Sequence, residues 1–186
     1  GYMSLPLCLA AKILRVKIFL IEPNMVLGRA NKFFLNFSEK LLSYSKNLIN
    51  FPKGLESKQV IIRPLIRKKY YEMINFEKKD SFFTIIIIGG SQGAKIFSEV
   101  IPKILTGIKK KYLRDLVIIQ QTRKEDKTFL KSIYNKLNVE CTIKEFFDDA
   151  QNEIYNSDIV FARCGSSTLA EIEYCKKFSF LLPLPT

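Results

Sequence analysis

Near its middle the chain runs Phe82-Phe83-Thr84-Ile85-Ile86-Ile87-Ile88-Gly89-Gly90-Ser91-Gln92-Gly93-Ala94. Residues 82–88 are an almost continuous run of β-branched and aromatic side chains, which is typical of a parallel strand buried on both faces. Two glycines end the run abruptly, and a helix is predicted to follow the turn. This order of strand, turn and helix predicts an α/β domain with helices on both faces of its sheet.

The same alternation continues to the end of the chain. Strands that alternate with helices imply a parallel sheet, so this half is predicted to be a doubly wound α/β domain. The further strands are predicted over residues 116–120, 141–144, 159–162 and 179–182, and the helices over residues 94–110, 124–137, 150–156 and 168–177.

The residues before this domain repeat the pattern on a smaller scale. Helices are predicted over residues 7–14 and 28–37, and strands over residues 16–21, 47–49 and 59–62. Residues 70–80 are polar and charged, with no apolar run long enough for a core strand. We therefore predict a first domain over residues 1–70, a linker over 71–80 and a second domain over 81–186.

Composition limits the possible functions. The 186 residues are 47% apolar and 26% charged, as in ordinary globular proteins, which excludes a disordered or fibrous chain. The net charge is 30 Lys+Arg minus 18 Asp+Glu, or +12, which favours a phosphate ligand, anionic lipid or nucleic acid. Because the sequence has no histidine, these residues supply neither a histidine metal site nor a histidine general base.

Neither the cysteines nor the apolar N-terminal segment indicates a metal site or a membrane span. The four cysteines form no C-x-x-C pair and are expected to be free thiols in a reducing cytoplasm. Lys12, Arg15 and Lys17 interrupt the apolar residues 5–21, and a spanning helix needs about 20 mostly uncharged residues. We expect no metal and no spanning helix.

The glycine-rich turn Gly89-Gly90-Ser91-Gln92-Gly93 is the first candidate binding element. Glycines let a backbone approach a ligand closely, and free N–H groups at the start of a helix favour an anion. The turn has neither the G-x-G-x-x-G spacing of a dinucleotide site nor the lysine of a P-loop. A tight turn without a ligand therefore stays open as an alternative.

Two more elements follow strands of the same predicted sheet. One is Arg163-Cys164-Gly165-Ser166-Ser167-Thr168-Leu169-Ala170-Glu171, whose small residues leave a helix start open to a diphosphate. Thr168 and Glu171 also have capping-box spacing, so helix capping is an alternative explanation of those two residues. The other is Glu145-Phe146-Phe147-Asp148-Asp149, which could present backbone groups and an aromatic ring to a base. All three turns lie at the sheet edge where open α/β sheets bind ligands.

In order and spacing these three elements resemble the MurG family of glycosyltransferase family 28. That family transfers N-acetylglucosamine from its UDP form to lipid-linked muramoyl-pentapeptide in peptidoglycan synthesis. The resemblance covers essentially the whole chain and implies a GT-B fold of two Rossmann-like domains, both incomplete here. The first part of the chain is similar to the family's GYxSGPxxLAA, EQN, G and NK positions at Gly1-Tyr2-Met3-Ser4, Pro6, Leu9-Ala10-Ala11, Glu22-Pro23-Asn24, Gly28 and Asn31-Lys32.

The resemblance implies a donor site formed largely by the second domain. Ser91 would contact the diphosphate, Phe147 would offer a main-chain contact to uracil, and Glu171 would accept hydrogen bonds from the ribose hydroxyls. Asn24 would face the sugar, and Arg67 fits the family's NPxR arginine after a one-residue slip. The other implied contacts are phosphate-binding Ser166, Ser167 and Thr168, donor-binding Gln92, Leu169 and Ala170, phosphate-loop Gly89, Gly90, Gly93 and Gly165, and acceptor-side Tyr2, Ser4 and Glu22.

The resemblance also implies the reaction and its partners. The reaction would be an inverting hexosyl transfer that needs no metal or cofactor, with UDP-N-acetylglucosamine as the donor substrate. The partners would be the UDP-sugar, an undecaprenyl-diphosphate-linked acceptor and the anionic inner face of the cytoplasmic membrane, to which the protein would be peripheral; nucleic acid is not expected. The family's histidine loop would precede Gly1 and its sugar-reading segment would follow Thr186. We therefore assign no catalytic residue and expect an internal fragment that is inactive alone.

The chain departs from the family pattern on the acceptor side. Ile21 and Pro23 stand where the family has histidine and glutamine, and glycines of the acceptor loop are replaced by Leu5, Leu7 and Cys8. Two alternatives therefore stay open. One is a GT-B enzyme with another lipid acceptor, such as a diacylglycerol. The other is a basic membrane-binding or nucleic-acid-binding module without catalysis, which only the net charge and the missing segments support.

Overall fold

The chain folds as two compact units, Gly1–Leu65 and Ile66–Thr186. The computed structural model describes residues 3–71 and 82–183, with the backbone alone for residues 91–94. Both units contain a parallel β-sheet, which confirms the predicted α/β class. Most of the predicted linker, residues 72–80, lies outside the described residues.

The first unit has a three-stranded sheet of β1 (Phe19–Glu22), β2 (Lys40–Ser43) and β3 (Gln59–Ile61), paired in that order. Helix α1 (Ser4–Ile13) precedes β1, and helix α2 (Arg29–Phe34) lies between β1 and β2. Side chains alternate across a strand, so every second residue of β1 and β2 is buried. The core contains Ile18, Leu20, Leu27, Phe34, Leu35, Leu41 and Leu48.

One strand prediction for this unit is wrong, and one strand was not predicted. Residues 47–49 are not a strand: Ile49 forms only an isolated bridge with Val26, and its neighbour Leu48 is buried in the core. Strand β2 was not predicted, because it is short and has no β-branched residue. It becomes a strand through pairing with β1 on one side and β3 on the other.

The second unit has a five-stranded parallel sheet in the order β6-β5-β4-β7-β8. The chain starts at the central strand β4, runs to one edge, and then crosses to β7 on the other side. This order confirms the predicted doubly wound half. The strands are β4 (Phe83–Ile88), β5 (Leu116–Gln121), β6 (Glu140–Lys144), β7 (Ile159–Arg163) and β8 (Phe178–Leu182).

Helices cover both faces of this sheet, and β4 is buried or half-buried between them except at its exposed first residue, Phe83. Ile87 packs in the cluster that includes residues of the first two helices after β4, whereas its neighbour Ile86 packs in the cluster on the opposite face. After the short helix α3 (Lys68–Tyr71), the helices are α4 (Gly90–Thr106), α5 (Lys127–Lys136), α6 (Ala150–Asn156) and α7 (Ser166–Tyr174). Among the described residues, no helix has the length and apolar character needed to cross a bilayer.

Two boundaries differ from the sequence-based ones. Residues 66–70, which we assigned to the first domain, belong to the second unit, because Tyr70 is fully buried in its core and meets Tyr174 edge to face at 6.2 Å. Helix α4 starts at Gly90, directly at the glycine turn, instead of at Ala94. The helix therefore begins where β4 ends, with only Gly89 between them.

Candidate functional site

The centre of the five-stranded sheet brings two turns together at its carboxyl edge. Strands β4 and β7 are neighbours, with Ile88 opposite Ala162, so the turns that follow them are adjacent. After β4 the chain adds β5 and β6 on one side of the sheet, and it then adds β7 and β8 on the other side. The position between β4 and β7 is therefore a topological switch point, where open α/β sheets bind ligands. Gly90 has φ +62° in the first turn, a conformation that favours glycine.

The second turn leaves the start of α7 uncapped. Gly165 precedes the helix in an extended conformation, and no side chain caps it. The first hydrogen bond into the helix runs from the Leu169 N–H to the Gly165 carbonyl at 2.9 Å. In the described part of the chain, the N–H groups of Ser166, Ser167 and Thr168 therefore have no hydrogen-bond partner. These three donors converge at the positive end of the helix dipole, which suits an anion.

The capping-box interpretation of Thr168 and Glu171 is wrong. Because α7 begins at Ser166, both residues lie inside the helix, and Gly165 occupies the capping position. The Glu171 carboxylate instead accepts a hydrogen bond from Arg67 Nε at 2.9 Å. The Glu171 side chain is 9% exposed and that of Arg67 is 52% exposed. A buried carboxylate is thus fixed by a partly exposed guanidinium.

The Arg67–Glu171 pair lies against Tyr70. The hydrogen bond to Glu171 raises the pKa of Arg67. The pKa of Tyr70 is raised mainly by burial, and the negative charge of Glu171 raises it further. The Tyr70 hydroxyl is buried and forms no hydrogen bond of normal geometry with the residues that the structure describes. Two residues predicted to bind the donor are therefore in direct contact, with a neutral phenol beside them.

Gln121, at the end of β5, was missed by the sequence analysis. Its side-chain oxygen accepts from the Gly90 N–H at 3.1 Å, and its side-chain nitrogen donates to the Glu145 carbonyl at 3.2 Å. It thereby connects the glycine turn to the loop after β6. The signal available in the sequence was the polar run Gln120-Gln121-Thr122 at the end of an apolar strand.

The loop after β6 holds the predicted base-contacting residues. Phe147 is buried, with the Lys144 ammonium 5.6 Å from its ring centroid, whereas Phe146 is exposed. Burial of the Phe147 ring means that the ring does not stack on a ligand, so the main-chain contact to uracil stays a prediction. Asp149 accepts hydrogen bonds from Gln151 and Asn152 at the start of α6 and so fixes this loop.

A separate cluster in the first unit is centred on Glu22. Its buried carboxylate accepts from the Asn24 N–H and side-chain amide at 3.2 and 3.1 Å, from the Gly28 N–H at 2.8 Å and from the Asn31 amide at 3.0 Å. A cleft of about 530 Å³ adjoins the cluster and is lined by α1, β1 and the start of α2, with Ser4, Glu22 and Asn24 among its walls. Tyr2 lies outside the described residues.

Comparison with known proteins identifies the family. Residues 84–186, more than half of the chain, match the sequence model of the glycosyltransferase family 28 C-terminal domain. The chain belongs to glycosyltransferase family 28. The matched residues include both turns, Gln121 and Glu171 of the candidate site. The predicted resemblance is therefore confirmed.

Curated relatives resemble this chain over its whole length. Two of them are named UDP-N-acetylglucosamine--N-acetylmuramyl-(pentapeptide) pyrophosphoryl-undecaprenol N-acetylglucosamine transferase. The protein from Pelagibacter ubique (strain HTCC1062) is 42% identical to this chain, and the match covers 52% of its length. The protein from Rickettsia canadensis (strain McKiel) is 39% identical, and the match covers 53% of its length. The chain spans about half the length of the curated relatives that it matches.

Solved structures share the fold of this family 28 chain. MurG from Acinetobacter baumannii matches 100% of this chain with 51% of its own, at a TM-score of 0.73 and 24% identity. A glycosyltransferase from Rickettsia africae ESF-5 matches 94% of this chain with 53% of its own, at a TM-score of 0.56 and 15% identity. These matches confirm the predicted fold type.

The predicted site residues of this family 28 chain are divided between the two units. Asn24, Ser4 and Glu22 are in the first unit, whereas both turns are in the second unit. Ser91, Gln92 and Gly93 lie in the first turns of α4, and the side chains of Ser91 and Gln92 are outside the described part. Within α7, Leu169 is exposed and Ala170 is buried. No group of three or more Cys, Asp or Glu residues that could hold a metal occurs within residues 3–71 and 82–183.

Proposed function

We propose that this family 28 chain takes part in the inverting transfer of N-acetylglucosamine from UDP-N-acetylglucosamine to an undecaprenyl-diphosphate-linked muramoyl-pentapeptide. The second unit would bind the UDP-sugar. Relatives that match the whole chain are named for this transfer, and the family model covers the unit to which we assign the donor.

The observation that carries the proposal is the pair of anion-suited turns on adjacent strands β4 and β7. The free N–H groups of Ser166, Ser167 and Thr168 supply donors for a diphosphate, and the dipole of α7 adds a partial positive charge. Glu171 lies within the same helix and offers a carboxylate for the ribose hydroxyls. The backbone of the loop at Phe147 would meet uracil.

The chemistry follows from the charge that develops as UDP leaves. The acceptor oxygen forms a bond to the anomeric carbon as the bond between that carbon and the diphosphate oxygen breaks. The hydroxyl proton passes to a general base, a role to which we assign no residue of this chain. Negative charge then accumulates on the departing diphosphate, where preorganised N–H donors lower the barrier. We propose that the helix start, without a metal ion, stabilises this charge.

UDP binding tests the proposal directly. We expect the 186-residue chain to bind UDP and UDP-N-acetylglucosamine in calorimetry, and UDP to slow the alkylation of Cys164. Cys164 is exposed and directly precedes Gly165, whereas burial raises the pKa of the Cys175 thiol to about 11 and makes it unreactive. Cys164→Ser is the control that identifies the labelled thiol. A folded chain that binds no UDP would contradict the proposal.

We also propose that the first unit contacts the anionic face of the cytoplasmic membrane. Its helix α1 exposes apolar side chains, with Leu7 at 73% and Ile13 at 79% exposure. Exposed Lys12, Arg15 and Lys17 lie in or just after this helix. Apolar side chains flanked by cations suit a bilayer surface that carries negative charge.

Replacing these three cations with glutamine is expected to weaken binding to anionic vesicles by about 100-fold, since each cation near such a surface contributes about 1 kcal/mol. Co-sedimentation with vesicles containing phosphatidylglycerol, compared with purely zwitterionic vesicles, measures the effect. A second triple variant, Lys109, Lys110 and Lys111 to glutamine, removes the same charge from the other unit and is expected to retain most binding. Equal losses in the two triple variants would refute a specific role for the first unit.

A further inference from the structure

We infer that Gln121 is a positioning residue. It sets the distance between the glycine turn after β4, one of the two turns that we assign to the diphosphate, and the loop after β6, which we assign to the base. This inference rests on the proposed donor site. Gln121 ends β5, which lies between β4 and β6 in the sheet. Its side chain reaches the Gly90 N–H on one side and the Glu145 carbonyl on the other.

The Gln121 side chain links the segments that follow β4 and β6, beyond the point where the backbone pairing of the strands ends. The pairing of β4 with β5 ends at Ile87 opposite Gln120, and that of β5 with β6 ends at Gln121 opposite Lys144. The next residue after Gln121 adds a last backbone bond between these strands, since the Thr122 N–H donates to the Lys144 carbonyl at 2.9 Å. Between Gly90 and Glu145 the sheet itself provides no contact, since β5 separates their strands. The amide of Gln121 provides this missing contact through its two hydrogen bonds.

The amide is suited to this role because it both accepts and donates. Its oxygen accepts from the Gly90 N–H, and Gly90 has a φ of +62°, a backbone conformation that favours glycine. Its nitrogen fixes the Glu145 carbonyl, two residues before the backbone that we assign to uracil. A glutamate at this position would keep the first bond and lose the second, because an ionised carboxylate only accepts.

Fixing the two elements together affects a ligand that spans both. UDP has its base at one end and its diphosphate at the other, so a preset spacing lets both ends bind without an ordering cost. Uridine alone and inorganic pyrophosphate alone each use one element and do not depend on the spacing. The contribution of Gln121 should therefore appear only when one molecule joins the two parts.

The test compares Gln121→Ala and Gln121→Glu with the 186-residue chain, using NMR titrations of UDP, uridine and pyrophosphate. We expect Gln121→Ala to weaken UDP about tenfold and to change uridine and pyrophosphate less than about twofold, with Gln121→Glu intermediate for UDP. Hydrogen exchange of the Gly90 amide, measured without ligand, is expected to accelerate in Gln121→Ala and much less in Gln121→Glu. Thr128→Ala, an exposed change in α5, is the control.

The outcomes separate this inference from the proposed function. If the unmodified chain binds no UDP, the proposed function fails and the donor role of Gln121 fails with it. If the unmodified chain binds UDP but Gln121→Ala binds it equally well, only this inference is overturned. Uridine weakened as strongly as UDP would mean a direct base contact instead of positioning. Unchanged Gly90 exchange would overturn the connection itself.

Discussion

Glu171→Ala is expected to weaken UDP binding by about 100-fold or more. The Glu171 carboxylate is nearly buried and is held by Arg67, so its orientation is fixed before a ligand arrives. Hydrogen bonds to a charged acceptor contribute about 1.5–3 kcal/mol each, and two ribose hydroxyls donating to this carboxylate would together account for a change of that size. Calorimetry of UDP with the variant and the unmodified chain measures it.

A ribose analogue shows whether the loss arises at the hydroxyls. Glu171→Ala is expected to bind UDP and 2′,3′-dideoxy-UDP with similar affinity, whereas the unmodified chain should strongly prefer UDP. Glu173→Ala, an exposed change in the same helix, should leave both affinities unchanged. If Glu171→Ala weakens the dideoxy compound as much as UDP, Glu171 does not act through the ribose.

Loss of folding is not expected to explain the Glu171 result. Arg67 remains more than half exposed, so water can hydrate its guanidinium when the carboxylate is removed. Ion pairs with an exposed partner usually contribute less than about 1 kcal/mol to stability. A thermal unfolding midpoint close to that of the unmodified chain is therefore the expected companion result.

The sequence predicted the second unit well because its signals are local. The run of isoleucines in β4 is typical of a buried strand in a parallel sheet, and it is followed at once by a glycine turn. Once β4 is central, the later strands and helices fill the two sides in turn. The sequence placed both candidate binding turns at the carboxyl edge of this sheet, and the observed pairing of β4 with β7 makes them adjacent.

Long-range contacts account for what the sequence did not predict. The spacing of Thr168 and Glu171 suggested a local cap, but Glu171 pairs with Arg67, which is 104 residues earlier in the chain. Strand β2 depends on neighbours that precede and follow it, and Gln121 acquires its role only where β4, β5 and β6 end side by side. In each case the residue or strand that determines the contact is distant in sequence, so local periodicity does not predict it.

Glu22→Gln is expected to lower the stability of the first unit by about 3 kcal/mol, because donors now satisfied by a buried carboxylate would lose their acceptor. Four N–H donors from Asn24, Gly28 and Asn31 converge on the two carboxylate oxygens of Glu22. An amide replaces one of these oxygens with an NH₂ group, which would point donors at donors. Hydrogen exchange followed by mass spectrometry, resolved by unit, measures the change.

Two companion variants show whether this loss comes from the carboxylate network. Gly28→Ala should act in the same direction, since a Cβ there would lie 3.2 Å from Glu22 Oε2 and displace the carboxylate. Glu39→Gln, an exposed change in the same unit, should have little effect. UDP binding should persist in all three variants, because UDP lacks the sugar that Asn24 is proposed to face. If Glu22→Gln leaves exchange in residues 22–31 unchanged, the converging donors do not depend on the charge of Glu22, and water or backbone groups satisfy them instead.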